Sequence, residues 1–119
     1  MTILQREALD AIRELAGGTS DLLNQIVQMY FETAPGLLAQ LKTSLASSDL
    51  QGIRNAAHSL KSSSANLGAL QFAHMCGKLE AAARTGNMND SLPDAAEVEG
   101  AYEQVRAALV AETGVGSPG

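Results

Sequence analysis

The chain is short of several things. Among its 119 residues it has one cysteine, three prolines, no tryptophan, two tyrosines and two phenylalanines. The single Cys76 excludes an intramolecular disulfide and fits a reducing compartment. No apolar run approaches the roughly 20 residues of a membrane span. The N-terminal "MTILQREALD" scatters charges among its apolar residues, unlike a secretory signal. Positive charge is the scarcer sign, with 8 Lys and Arg against 13 Asp and Glu, a net charge of −5. Such a domain repels phosphate backbones and anionic membranes, which argues against nucleic acid as a partner and against membrane insertion. We expect a monomeric cytoplasmic domain.

What is present is an aliphatic core in the making. Apolar residues make up 45% of the chain and aromatics only 3%, so the core must be built from Leu, Ile, Val, Ala and Met. An Ala- and Leu-rich, proline-poor composition favours closely packed helices. Leu9, Ile12 and Leu15 suggest a short first helix, closed by "AGG" at Ala16–Gly18. Thr19 or Ser20 can cap a second helix whose apolar residues, Leu23, Val27, Tyr30, Ala34, Leu37, Leu41 and Leu45, step by threes and fours. Pro35 lies within this register and costs a helix interior ~3 kcal/mol, so the spacing predicts one kinked helix or two nearly collinear pieces.

Ser48 and Gln51 have capping-box spacing ahead of a third helix with Ile53, Ala57, Leu60, Ser64 and Leu67, stopping at Gly68. A fourth starts near Ala69 and aligns Phe72, Met75, Cys76, Leu79 and Ala83. A loop or helix start, "TGNMNDSLPD", precedes a last helix with Val98, Tyr102, Val105 and Leu109. No segment sustains strand-like alternation. The expectation is an all-α fold, an antiparallel up-down four-helix bundle with the extra short N-terminal helix across one end. One domain spans residues 1–112, its bundle core about 19–112, and a disordered tail occupies 113–119.

The third helix carries the unusual stretch "HSLKSSSAN", His58 to Asn66. At 100° per residue with His58 at 0°, Ile53, Ala56, Leu60, Ser64 and Leu67 fall at about 160–240°, so His58 points away from the core stripe. Lys61 and Arg54 lie about 40–60° to one side, Ser62 about 40° to the other, and Ala65 nearly in line beneath the ring. Ser64 faces the core, where its hydroxyl can bond back to the Leu60 carbonyl. A cation one turn from an exposed imidazole suits chemistry that deposits negative charge on the ring, such as phosphorylation of a ring nitrogen, which Lys61 would offset. The plain alternative is a solvated face. His74, which also points away from its stripe and has Lys78 four residues on, fits either description. Periodicity does not choose between the two histidines.

Metal hydrolysis is disfavoured, since two histidines 16 residues apart without a HExxH pattern make a poor ligand set. Cys76, on an apolar stripe, reads as a buried inert thiol. Glu80 sits on the shoulder of its helix's stripe, about 70° from the centre, where it can reach an adjacent helix or simply face water.

The segment "AAHSLKSSSANLGA", Ala56 to Ala69, resembles the signature of histidine-containing phosphotransfer domains, Ala-His-x-Leu-Lys-Gly, then four variable residues, an apolar residue and Gly. Ala57, His58, Leu60, Lys61, Leu67 and Gly68 match, and Ser62 stands where Gly is common. The resemblance runs from about Thr19 to Glu112 and includes "CGKLEAAARTG". It implies a four-helix bundle whose exposed histidine accepts a phosphoryl group from one receiver-domain aspartate and passes it to another.

By that resemblance His58 is the phosphoacceptor, Lys61 stabilises the phosphate, Glu80 accepts a hydrogen bond that orients the imidazole, and His74 is a bystander. Arg54, Ser62 and Ala65 are the expected partner-docking residues, Ser62 and Ala65 keeping the surface beside His58 low. The implied partners are response-regulator receivers and a hybrid sensor histidine kinase, from which the domain is excised or alongside which it stands free. No cofactor is expected, the Mg²⁺ belonging to the receiver. No Gly-rich phosphate loop is present, so the domain would be a phosphotransfer intermediate rather than a kinase. A sensor-kinase dimerisation domain usually follows its histidine with an acidic residue and a nearby Pro, whereas Ser59 and Leu60 follow His58. A static protein-binding adaptor is the other alternative.

Overall fold

In the computed structural model, which describes residues 3–116, the chain forms five helices. They are α1 (Arg6–Leu15), α2 (Asp21–Ser47), α3 (Leu50–Asn66), α4 (Leu70–Thr85) and α5 (Ala95–Thr113). The described residues contain no strand. Helices α2 to α5 close a ring in which α3 packs most intimately on α4, then on α2, while α5 joins α2 and α4 more loosely. This is the expected all-α bundle. The Gln5 amide donates to the Gly68 carbonyl between α3 and α4, and Arg6 pairs with Glu112 at the close of α5. Those anchors hold α1 across the end of the bundle where α3 and α5 finish.

The core is aliphatic as composition requires, with Leu23, Leu41, Ile53, Leu60, Leu67, Leu79 and Leu109 at 0–1% exposure. Full burial of such a side chain stabilises by about 1.5–3 kcal/mol. The scarce aromatics are pooled rather than scattered. Tyr102 stands 5.9 Å from Tyr30 and 6.1 Å from Phe72, and Phe31 lies 6.3 Å from Tyr30. No described helix is long and apolar enough to cross a membrane.

Several local expectations need correction. Of the two forms expected around Pro35 the single helix holds: α2 runs unbroken through it, its side chain exposed and its neighbours Ala34 and Leu38 buried in the core. Leu38 rather than Leu37 is the fully buried member of that turn, because the stripe widens toward α5 beside Tyr102. Leu15 is 82% exposed: it is the last residue of α1, where the chain leaves through Gly17 and Gly18. Ser48 ends α2 in the left-handed conformation, and the cap of α3 is Asp49, whose carboxylate accepts from the Gly52 amide. Helix α5 begins with a full capping box, Asp94 accepting from the Glu97 amide and Glu97 from the Asp94 amide. At the far end Thr113 closes α5 and Val115 packs against the core. Residues 117–119 of the expected tail lie outside the described residues, as do residues 1 and 2.

Candidate functional site

Two residues of α3, His58 and Lys61, and one of α4, Glu80, build the site. Ile53, Ala56, Ala57, Leu60 and Ser64 fix the inward face of α3, all at 0–1% exposure. His58 is thereby turned outward, its side chain 59% exposed. Asp49 satisfies the first turn of the helix, and Gly68, at φ +80°, ends it against Gln5. An alanine Cβ at Gly68 would stand 2.6 Å from the Gln5 carbonyl oxygen, so the turn that closes α3 admits only glycine.

Glu80 comes from α4 and is buried, only 7% exposed. Its carboxylate is shared between two residues of α3. One oxygen, Oε2, lies 2.6 Å from His58 Nδ1, and the other, Oε1, accepts from the Lys61 ammonium. The Lys61 bond, the largest influence, holds the Glu80 carboxyl below its ordinary range; burial opposes this and the His58 bond adds to it. Glu80 is therefore a carboxylate at neutral pH and can only accept. A neutral His58 ring must then carry its proton on Nδ1 and donate it to Glu80, leaving the Nε2 lone pair bare.

Of the sequence-selected residues, the structure thus brings His58, Lys61 and Glu80 together. Lys61 differs from the expectation in one respect: its charge is engaged by Glu80, so it anchors the carboxylate. Arg54 and Ser62 are exposed on α3, and Ala65 is half-buried. The serines of α3 divide further. Ser63 Oγ donates to the Ser59 carbonyl at 2.9 Å. Ser64 does not bond back to Leu60; its hydroxyl lies 2.7 Å from that of Tyr30 on α2, and both are buried. Burial raises the Tyr30 hydroxyl's pKa well above its ordinary value. That inter-helix contact was missed because it needs two polar residues in core registers of different helices to be paired, a signal visible only once α2 and α3 are known to be neighbours.

His74, by contrast, is exposed on the outer face of α4, beside the shallow depression that Lys61 and Gly77 line, and, among the described residues, makes no side-chain hydrogen bond. It lines a groove of about 380 Å³ between α4 and α5 with Gln71, Lys78 and Glu97. Cys76 is fully buried and burial pushes its thiol up to about 12, which makes it inert at neutral pH. The described residues hold no group of three or more His, Cys, Asp or Glu side chains suited to a metal ion.

An exposed imidazole, aimed by a buried carboxylate and free on its outer nitrogen, is a nucleophile waiting for an electrophile. The family model for the Hpt domain matches residues 25–108, more than half of the chain and the whole of this site. The chain belongs to the Hpt domain family. Its structure is also similar to the crystal structure of histidine-containing phosphotransfer protein B (HptB) from Pseudomonas aeruginosa PAO1. The TM-score is 0.83 at 26% identity, over 94% of this chain and 95% of that one. No curated protein matches the sequence. This Hpt domain therefore serves histidine phosphotransfer in two-component signalling. Domains of the family carry no cofactor and work with receiver domains and kinases.

Proposed function

We propose that His58 accepts a phosphoryl group from a receiver-domain aspartate and passes it to the aspartate of a second receiver. The observation that carries this reading is the 2.6 Å contact between His58 Nδ1 and the buried Glu80 carboxylate. In the forward step the Nε2 lone pair forms a bond to phosphorus as the bond to the aspartate oxygen breaks, and the aspartate leaves with that electron pair. The ring gains positive charge as Nε2 gives up its lone pair, and Glu80 faces that charge across the Nδ1 proton. The reverse step uses the same contacts, which suits a carrier that must both take and give.

Lys61 has two successive roles in this reading. Before transfer it holds Glu80; once the phosphoryl group arrives it is a cation one helical turn away on α3, able to offset the added charge. Arg54, Ser62 and Ala65 line the approach, where the small side chains of Ser62 and Ala65 allow a receiver to bring its aspartate to bonding distance. The domain acts as a monomer in the cytoplasm, and it needs no nucleotide site because the phosphoryl group arrives already activated.

Incubation with a phosphorylated receiver tests the proposal. The expected result is acid-labile, base-stable label on this protein and loss of label from the donor. A static adaptor would bind the receiver and take up no label.

A further inference from the structure

Lys61 reaches Glu80 by lying across α4, and the place where it crosses is Gly77. A Cβ built on Gly77 would stand 3.3 Å from Lys61 Cδ, closer than ordinary van der Waals contact. Gly77 is half-buried in the middle of α4, at an ordinary helical φ, with nothing in its own backbone that calls for glycine. Glycine in a helix interior is destabilising relative to alanine. The residue thus weakens its helix and serves no turn. What it does provide is a gap in the α4 surface, between Ala73 and Ala81 one turn to either side, and the Lys61 stem lies in that gap.

We propose that Gly77 is a positioning residue for the phosphoacceptor, acting through Lys61 and Glu80 on the His58 ring. The chain of contacts is continuous. Absence of a Cβ on Gly77 seats the Lys61 stem, the Lys61 ammonium binds Glu80 Oε1, and Glu80 Oε2 holds the Nδ1 proton of His58. A methyl group at position 77 requires the stem to move by a few tenths of an ångström. Its far end is tied to a buried carboxylate, so the displacement is passed to the ammonium or breaks its bond. Glu80 then loses the partner that fixes one of its two oxygens, and the ring it aims is left looser.

The inference rests on the reading of His58 as acceptor, but its test separates the two. Gly77→Ala should stay folded, alanine's better helix propensity offsetting part of what the weakened Lys61–Glu80 contact loses. The same variant should slow phosphoryl uptake from a receiver by about three- to tenfold, the direction a merely structural role would not produce. NMR of the unphosphorylated protein should show faster exchange of the Lys61 ammonium protons and a larger share of the ring protonated at Nε2. In a Lys61→Ala background, Gly77→Ala should have no further effect on rate or tautomer. Gly77→Ser, with the same Cβ, should repeat the pattern if alanine perturbs the fold. Wild-type tautomer ratio and transfer rate in a folded Gly77→Ala protein would overturn the inference, as would an equal loss with and without Lys61. If His58 were not the acceptor, the NMR changes would persist while the transfer rate stayed constant.

Discussion

Helix α4 has two seams, and each exposes a histidine with a lysine close by in sequence. On the α3 side stands His58 with Lys61; His74 with Lys78 stands on the outer face of α4, lining the groove toward α5 and, with Lys61 and Gly77, a shallow depression toward α3. The first seam is tight, the helices touching along their length, and it contains the buried Glu80 bridging histidine and lysine. The second is open, a groove of about 380 Å³ in which His74 has no side-chain hydrogen bond among the described residues. The comparison teaches that an exposed imidazole and a nearby cation are common and inert by themselves. Close packing that buries a carboxylate between them fixes the tautomer and frees one nitrogen. In the proposed reading, reactivity comes from the seam rather than from the histidine.

The largest effect should come from exchanging the histidines' fates. His58→Gln is expected to abolish phosphoryl uptake without unfolding the domain, because the side chain faces solvent. His74→Gln should retain it. Radiolabel transfer and a thermal melt on each variant check both halves, and label on the His58→Gln protein would erase the distinction between the seams.

Next in size is obstruction of the approach to the first seam. Ser62→Phe leaves an exposed position exposed, so the bundle should fold. The bulk holds a receiver back, and a misplacement of about 1 Å can cost on the order of 100-fold in rate. A small phosphodonor, if it reacts with His58, should be far less affected. Equal rates from a receiver for wild type and Ser62→Phe would mean that docking does not cross this face. The same change at Gln71, on the second seam's groove, should matter little.

A smaller loss is expected for Lys61→Ala. A charge-assisted contact contributes roughly 1.5–3 kcal/mol, and partial exposure of Lys61 reduces it, so transfer should slow without stopping. Lys78→Ala should not change the rate. Unchanged kinetics for Lys61→Ala at low salt would reduce Lys61 to a solvating residue.

The most modest effect is on stability against pH. Glu80's carboxyl is held below its ordinary value of 4.5 in the folded protein, chiefly by Lys61. Its contribution is therefore complete above that ordinary value and is lost as pH falls through the lower, folded one. Glu80→Gln should be less stable than wild type near neutral pH, and the difference should shrink on the acid side. Parallel denaturation curves across that range would show that the first seam's carboxylate is not coupled to folding.

Much of the fold could be read from residue spacing, and the reasons are local. The steps from Ile53 to Leu67 set the face of α3, and Gly68 stops it, as any helix of that pattern would be stopped. The outward direction of His58 follows from the same arithmetic. Pro35 was harder: a cost of ~3 kcal/mol favours a break, yet Ala34, Leu38 and Leu41 on the buried stripe offset it. The cap at Asp49 and the exposure of Leu15 depend on how the chain turns between helices, which periodicity does not encode. For the site, Glu80's position on the shoulder of α4 was legible, but its burial and its sharing between His58 and Lys61 were not. Those depend on the distance between two helix axes, and hence on small residues such as Gly77 whose role appears only when a neighbour's side chain crosses them.

The central claim is that Glu80 holds the Nδ1 proton of His58 and leaves Nε2 to attack phosphorus. The most direct test is NMR on protein labelled with ¹⁵N-histidine and phosphorylated by a receiver, reading the coupling between phosphorus and the ring nitrogens. The account predicts a single phosphorylated histidine, His58, with phosphorus bonded to Nε2 and the proton still on Nδ1. Phosphorus on Nδ1 of His58, or on either nitrogen of His74, would contradict it.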